Sequence, residues 1–271
     1  MLKFFYPLFL SSSILSGQFD ISTVYLSKKI DETSALEFHK GIFITLNDSG
    51  GKPKLYSFTS EGDLIDSHKI NNAKNKDWED LTADNDFIYI SDTGNNSGNR
   101  KDLKIYKIDK ELKLKDSIAF RYANQKEYKK KKKNRYDAEA LTVVDSVLLL
   151  FSKDRKKLTT QVYSIPKKGG TYIINPIAEF NVGSLITAAD YDSFSQTLAL
   201  TSYNFEGQQF LYRFLNFDIN NINEMKFEKY LLPIYPAQIE AIKVEGVDFF
   251  WLTSEDEGKG LPRLFKVCLN N

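Results

Sequence analysis

KLYSF at 54–58 returns as LKIYKI at 103–108, QVYSI at 161–165, FLYRF at 210–214 and RLFKV at 263–267. Each segment alternates apolar or aromatic residues with polar ones, the period of a strand buried mainly on one face. The same order of elements surrounds each of them. A first strand ends in a small or acidic turn, a second apolar strand ends in polar residues, the aromatic strand follows, and a fourth completes the unit. The first unit reads 34–38, 42–48, 54–59 and 64–70, and the next three start at Glu79, Glu139 and Ala188. A fifth starts at Glu240 and runs out after three strands, at Leu269. Five recurrences of a four-stranded unit predict an all-β, five-bladed β-propeller. An orphan strand at 21–27 (ISTVYLS) supplies the missing fourth strand of the last blade, closing the ring without an exposed edge.

The rest of the composition agrees with one such domain over 18–271. The chain has 271 residues, 20 Phe and 15 Tyr, and no stretch keeps a 3.6-residue apolar period for three turns. Residues 1–17 carry one cation (Lys3), an apolar run broken by Ser11 to Ser13, and small residues Ser16 and Gly17. That pattern is a secretory signal peptide, too short for a membrane span. The expected location is therefore periplasmic or secreted, with no transmembrane anchor after cleavage. Cys268 is the single cysteine, so it forms no intramolecular disulfide and is expected in the core of the last strand. A formal net charge of +1 provides no global field toward nucleic acid or membrane.

In an up-and-down blade, the start of the first strand and the end of the second lie at the same end of the tunnel. The repeat therefore gathers Ser34, Glu79, Glu139, Ala188 and Glu240 around one mouth. Asp190, one pleat along its strand, is expected to replace the ligand missing at Ala188. Carboxylates facing one axis repel, and need a cation or raised pKa values. Oxygen donors alone suit Ca2+, so the expected metal ligands are Ser34, Glu79, Glu139, Asp190 and Glu240. Without a cation, neutralising Glu139 is expected to relieve repulsion and stabilise the fold.

The turns after the second strands, NDSGG (47–51), SDTGNN (91–96), SKDRKK (152–157), SYNFEG (202–207) and SEDEGKG (254–260), share this face. Asp48 and Asp92 are candidate general bases there. Asn47, Asn95, Arg100, Lys153, Asn204 and Glu255 are the remaining candidates for a ligand-binding face. KEYKKKKKNRY (126–136) lies in the link between blades two and three and overhangs the mouth, where it would recruit an anionic small molecule such as a phosphate ester, or an anionic polymer. No nucleic-acid module, G-x-S-x-G elbow, P-loop or dinucleotide fingerprint is present. The only histidines, His39 and His68, fall in different strands of one blade, which argues against a histidine-based triad or zinc site.

LNDSGGKPKLY (46–56), DWEDL (77–81), SDTGNNSGNR (91–100), YDAEAL (136–141), ITAADYD (186–192) and QIEAI (238–242) resemble a family of bacterial exported propeller proteins with no settled activity. More distantly, the chain is similar to calcium-activated nucleotidases of the apyrase type. That similarity implies a tunnel calcium held by serine and glutamate at blade starts, positions which Ser34, Glu79, Glu139 and Glu240 match and Ala188 does not. Their arginine-rich nucleotide contacts have no counterpart here. The expected function is an exported binding module whose tunnel Ca2+ is mainly structural. The alternatives are a metal-dependent phosphohydrolase and a metal-free interaction scaffold.

Overall fold

The computed structural model describes residues 14–15, 18–255 and 260–270. Most of the expected signal peptide lies outside them. Five small sheets, mainly antiparallel, form the five blades of a propeller. Blade one contains Glu37–His39, Ile42–Leu46, Lys54–Phe58 and Leu64–Lys69, from the axis outward. Blade two contains Trp78–Ala83, Phe87–Asp92, Lys104–Asp109 and Leu114–Tyr122, and blade three Ala138–Val144, Val147–Ser152, Thr159–Pro166 and Pro176–Asn181. Blade four contains Leu185–Asp192, Thr197–Tyr203, Gln209–Phe214 and Glu228–Leu232. In blade five, Ile239–Val244, Phe249–Ser254 and Arg263–Asn270 are joined on the outside by Gln18–Tyr25.

That last pairing is the ring closure expected from the orphan strand. It is antiparallel and continuous from Gln18↔Asn270 to Tyr25↔Arg263. The core consists of five clusters, each between two neighbouring blades, as the alternation of buried side chains across a strand requires. Trp78 and Tyr106 fill the seam between blades one and two, and Phe180, Phe214 and Phe227 pack with tilted or edge-on rings between three and four.

Two short strands were not anticipated. Gly170–Ile174 adds parallel to the outer strand of blade two, and Ile14–Leu15 does the same on blade four. Each covers an edge that would otherwise present unpaired backbone groups. Cys268 is half-buried rather than a core residue, because alternation turns its neighbours Val267 and Leu269 inward instead. No helix among the described residues is long and apolar enough to cross a membrane.

The inner strands share a local device that sets the tunnel chemistry. In blades two to five the pairing with the second strand slips once, between Trp78 and Asp80, Ala138 and Ala140, Ile186 and Ala188, and Ile239 and Ala241. Such a bulge leaves one residue unpaired and re-aims its side chain. The residues concerned are Glu79, Glu139, Thr187 and Glu240. In blade one, pairing of Thr33 with Asn47 and of Glu37 with Ile44 puts Ser34 at the same place.

Blade four therefore contributes Thr187, not Ala188, to the ring. Its hairpin from inner to second strand is longer, spanning Tyr191↔Leu198 where blade two has Ala83↔Ile88, so a register carried over from the other blades slips by one. The Thr187 hydroxyl donates to Ile239 O at 2.7 Å and lies 2.9 Å from Thr201 Oγ1.

Candidate functional site

The mouth at the start of the inner strands is a cavity of about 160 Å³. Ser34, Glu79, Glu139 and Glu240 line it together, as their common register expects. All four are buried. The second strands end at the same mouth, and their equivalent terminal positions are Asp48, Thr93, Lys153, Tyr203 and Glu255. Four of these line the cavity, while Thr93 is turned aside and donates to Ala138 O at 2.8 Å.

Asp92 falls one residue short of that row. A one-residue step in a strand reverses the face a side chain occupies, and Asp92 accordingly points away from the cavity. Its Oδ1 accepts from Arg100 Nη2 at 2.8 Å and from the Asp77 backbone N–H at 3.2 Å. Arg100 also donates to Gly94 O at 2.7 Å, so the pair clamps the 91–100 turn. Asp92 does not line the mouth cavity, and its other oxygen, Oδ2, is buried with no hydrogen-bond partner.

Asp190 also lies elsewhere. It is level with Glu37, Thr82, Thr142 and Lys243 in the next ring along the tunnel. There it accepts from the Val244 backbone N–H at 2.8 Å and faces Lys243 Nζ at 3.1 Å, which also meets Glu37 at 2.7 Å. Thr82 and Thr142 accept from the next blade's backbone in the same manner. Asp190 thus ties blade four to blade five.

Of the proposed ligand-binding face, Lys153 and Glu255 reach the cavity. Asn95 binds Tyr136 O, and its N–H donates to Asp137 Oδ1 at 2.6 Å. Asn204 caps its own turn through Glu206 and Gln208 N–H groups, and Asn47 binds Lys29 O and Asp31. These are turn-building roles.

Sequence reasoning missed Asp77, Asp137, Arg155 and Gln238. For Asp77, Asp137 and Gln238 the signal was present as D-x-E in DWED and DAEA, two residues before the ring position, with Q-x-E in blade five. The carboxylate oxygens of Asp48, Asp77 and Glu79 lie within 4.8 Å of one another, and so do those of Glu79, Asp137 and Glu139. Gly94 permits this crowding, because a Cβ there would collide with the Glu79 and Asp77 carboxylates.

The site supplies part of its own counter-charge. Lys153 Nζ, 3% exposed, lies 2.7 Å from Glu139 Oε2, and Arg155 Nη2 lies 3.0 Å from Asp137 Oδ2 and 3.4 Å from Glu139 Oε1. Burial disfavours the Lys153 ammonium, yet Glu139 and Glu240 beside it hold its pKa above the ordinary value. The carboxylate pKa values rise as well, but for these groups the rise favours the neutral form. Burial, then Glu139 and Asp77, push Asp48 up to about 8. Burial and Glu139 raise Asp137 to about 7 against Arg155 and Lys153. Burial raises Glu240 to about 7 despite Lys153. Glu79 is raised well above the carboxylate range by burial and then by Glu139 and Asp48.

The pair with Lys153 reverses the sign expected for neutralising Glu139. Glu139→Gln leaves a buried ammonium without its carboxylate, a loss of about 3–5 kcal/mol for a broken buried pair. The expected result is a lower thermal midpoint in chelator as well as in calcium. A variant melting at or above the parent in chelator would contradict the pairing.

The basic run is fastened to the rim. Asn134 Nδ2 donates to Asn95 O and Asn96 O, Lys131 N–H donates to Ser97 O, and Arg155 reaches Asn96, itself a cavity residue. Lys129 to Lys133 are all exposed. The mouth is therefore acidic inside and basic at one side of its edge.

No protein-family model matches the sequence, and no curated protein matches it. Among solved structures, the PQQ-bound aldose sugar dehydrogenase from Streptomyces coelicolor aligns over 94% of this chain and 99% of its own, at 11% identity and a TM-score of 0.57. A structure described as glucose dehydrogenase aligns over 91% and 98%, at 10% identity and a TM-score of 0.51. At such identities the likeness is one of fold.

Proposed function

We propose that the protein is an exported propeller module that holds a Ca2+ ion in its acidic mouth, mainly as a structural element, and binds an anionic ligand there. The observation that carries the reading is Ser34 Oγ. It is buried in the cavity with no hydrogen-bond partner, facing the same space as Glu79, Glu139 and Glu240. An orphaned hydroxyl costs free energy unless something outside the protein's own bonding completes it. Carboxylates and a hydroxyl are hard oxygen donors of the kind calcium takes. Ser34, Glu79, Glu139 and Glu240 would hold the ion, with Thr187 in the remaining ring position tied to blade five.

A bound divalent ion would offset the converging carboxylates and draw the oxygens of an anionic ligand into the mouth. Lys153 and Arg155 add fixed positive charge, and the 129–133 lysines raise the local concentration of anions. Export rests on the character of residues 1–17. Calcium binding by the purified chain, measured calorimetrically after chelator treatment, tests the first half of the proposal. Absence of any bound equivalent overturns it. For the second half, replacing Lys129 to Lys133 with serine should leave the thermal midpoint within about 2 °C, since an exposed loop buries little. Phosphate or polyanion binding at low salt should weaken several-fold and lose part of its salt dependence. Unchanged affinity would return the run to a solvated loop.

Asp48 favours a second reading, metal-dependent hydrolysis of phosphate esters. Its carboxyl lines the cavity with a pKa near 8, suited to holding and releasing a proton close to neutrality. On this reading Asp48 takes the proton of a water in the mouth while Lys153 and Arg155 orient the ester. Phosphate release lost in Asp48→Asn and retained in Asp92→Asn is the expected pattern.

A further inference from the structure

We infer that the mouth face binds single-stranded nucleic acid, with phosphates over the lysines of its basic side and bases stacked on Phe205 and Tyr235. The inference rests on the anion-binding half of the reading above and names the anion. The face is divided in two. Lys129 to Lys133 on the link into blade three, and Lys156 and Lys157 on the turn of that blade, are all exposed. Among the described residues only Lys129 of these has a carboxylate partner, Glu127 at 3.5 Å. This is a local cationic track on a chain whose formal net charge is only +1. Blades four and five present aromatic rings instead. Tyr203 lines the cavity, with Lys153 Nζ 4.9 Å from its ring centre. Two residues further along the 202–207 turn, Phe205 is 72% exposed, and three residues before the cavity residue Gln238, Tyr235 is 81% exposed.

Both rings are carried on fastened loops. Asn204 Oδ1 accepts from the Glu206 and Gln208 N–H groups at 3.0 Å each, which closes the turn under Phe205. Tyr235 stands between Ile234, buried in the cluster between blades four and five, and Pro236, whose carbonyl accepts from Arg263. Gln209 ties the two loops together, donating to Ala237 O at 2.8 Å and accepting from Ile239 N–H at 3.1 Å. A ring already held in place loses little freedom when a partner stacks on it. Aromatic faces beside a cationic track are the two elements with which proteins hold single strands, since every base has a π-face and every link a phosphate. Inorganic phosphate, or a polyanion without bases, engages the lysines alone. A duplex keeps its bases stacked inside and offers Phe205 and Tyr235 no face. The sequence separates the two halves by about seventy residues, and the closed ring of blades brings them to one face on either side of the acidic cavity.

The test is fluorescence anisotropy of the purified chain, in calcium and at low salt, with three probes of about 12 nucleotides: an oligothymidylate, an abasic strand of the same length and a duplex. The oligothymidylate should bind about tenfold or more tighter than the other two. Phe205→Ser combined with Tyr235→Ser should reduce it to the level of the abasic strand, whose own affinity changes less than about twofold. Tyr235→Phe should retain tight binding, because it keeps the ring. Either serine variant alone, losing part of the preference, serves if the double variant does not fold. Replacing Lys129 to Lys133 with serine should weaken the oligothymidylate and the abasic strand alike, and make the slope of log affinity against log salt shallower by about 2–3. Equal affinity for oligothymidylate and abasic strand overturns base stacking and leaves the anion reading standing. A preference for oligothymidylate that survives loss of both rings overturns the placement on Phe205 and Tyr235. A duplex bound as tightly as the single strand overturns the choice of ligand, and no binding of any probe overturns the anion reading as well.

Discussion

Removal of residues 18–25 leaves the chain insoluble, or lowers its thermal midpoint by more than about 10 °C. The strand Gln18–Tyr25 is the outermost member of blade five, and its deletion strips a full antiparallel ladder from Arg263–Asn270. It also uncovers apolar packing. Phe19 and Ile21 rest against the cluster between blades four and five, and Val24 against the one between five and one. Phe19 meets the Tyr230 ring edge-on at 6.0 Å. Partial burial of three such side chains contributes about 3–5 kcal/mol at about 25 cal/mol per Å². In a domain of this size each kcal/mol moves the midpoint by about 2–4 °C. The freed edge adds a template for aggregation. Circular dichroism melts of the soluble fraction measure the effect. A soluble deletion variant with the parental midpoint would show that the ring does not depend on this closure.

Chelation is expected to lower the midpoint by about 5–10 °C, and Glu79→Gln to change sign with the cation. A ligand bound only by the folded state at a hundredfold excess over Kd stabilises it by about 2.7 kcal/mol. Glu79 is the informative position because its carboxylate is surrounded by Glu139, Asp48, Asp137 and Asp77, all acidic. In chelator, Glu79→Gln removes repulsion and should raise the midpoint. In calcium, it removes a ligand and should erase most of the calcium-dependent gain. A variant equally displaced in both conditions would eliminate the cation.

The pH dependence follows from the same crowding. Folded pKa values near 8 for Asp48 and near 7 for Asp137 and Glu240 stand above the ordinary value of about 4 for an unfolded carboxylate. Between these limits the folded state binds more protons than the unfolded chain, so stability falls as pH rises from about 4 to about 8. The chelated protein should therefore melt lower at pH 8 than at pH 5. Calcium competes with those protons and should flatten or invert the trend.

How much of this was legible in the chain depends on what a periodic pattern can carry. The aromatic third strands, the truncated fifth unit and the orphan segment at 21–27 determined the number of blades and the way the ring closes, because strand alternation and the exclusion of free edges act locally and repeat. The same register gathered Ser34, Glu79, Glu139 and Glu240 correctly. It went astray wherever a single residue changed the face. The longer hairpin of blade four put Thr187 in place of Ala188 and moved Asp190 to the next ring, and one step along the second strand turned Asp92 onto Arg100. Bulges and hairpin lengths are set by pairing between strands, which the linear pattern does not record. The partnership of Lys153 and Arg155 with Glu139 belongs to the same class. Lysine in a turn reads as solvated, and only the closing of five blades around one axis buries its ammonium against a carboxylate fourteen residues away, where it decides how much charge is left for a cation to balance.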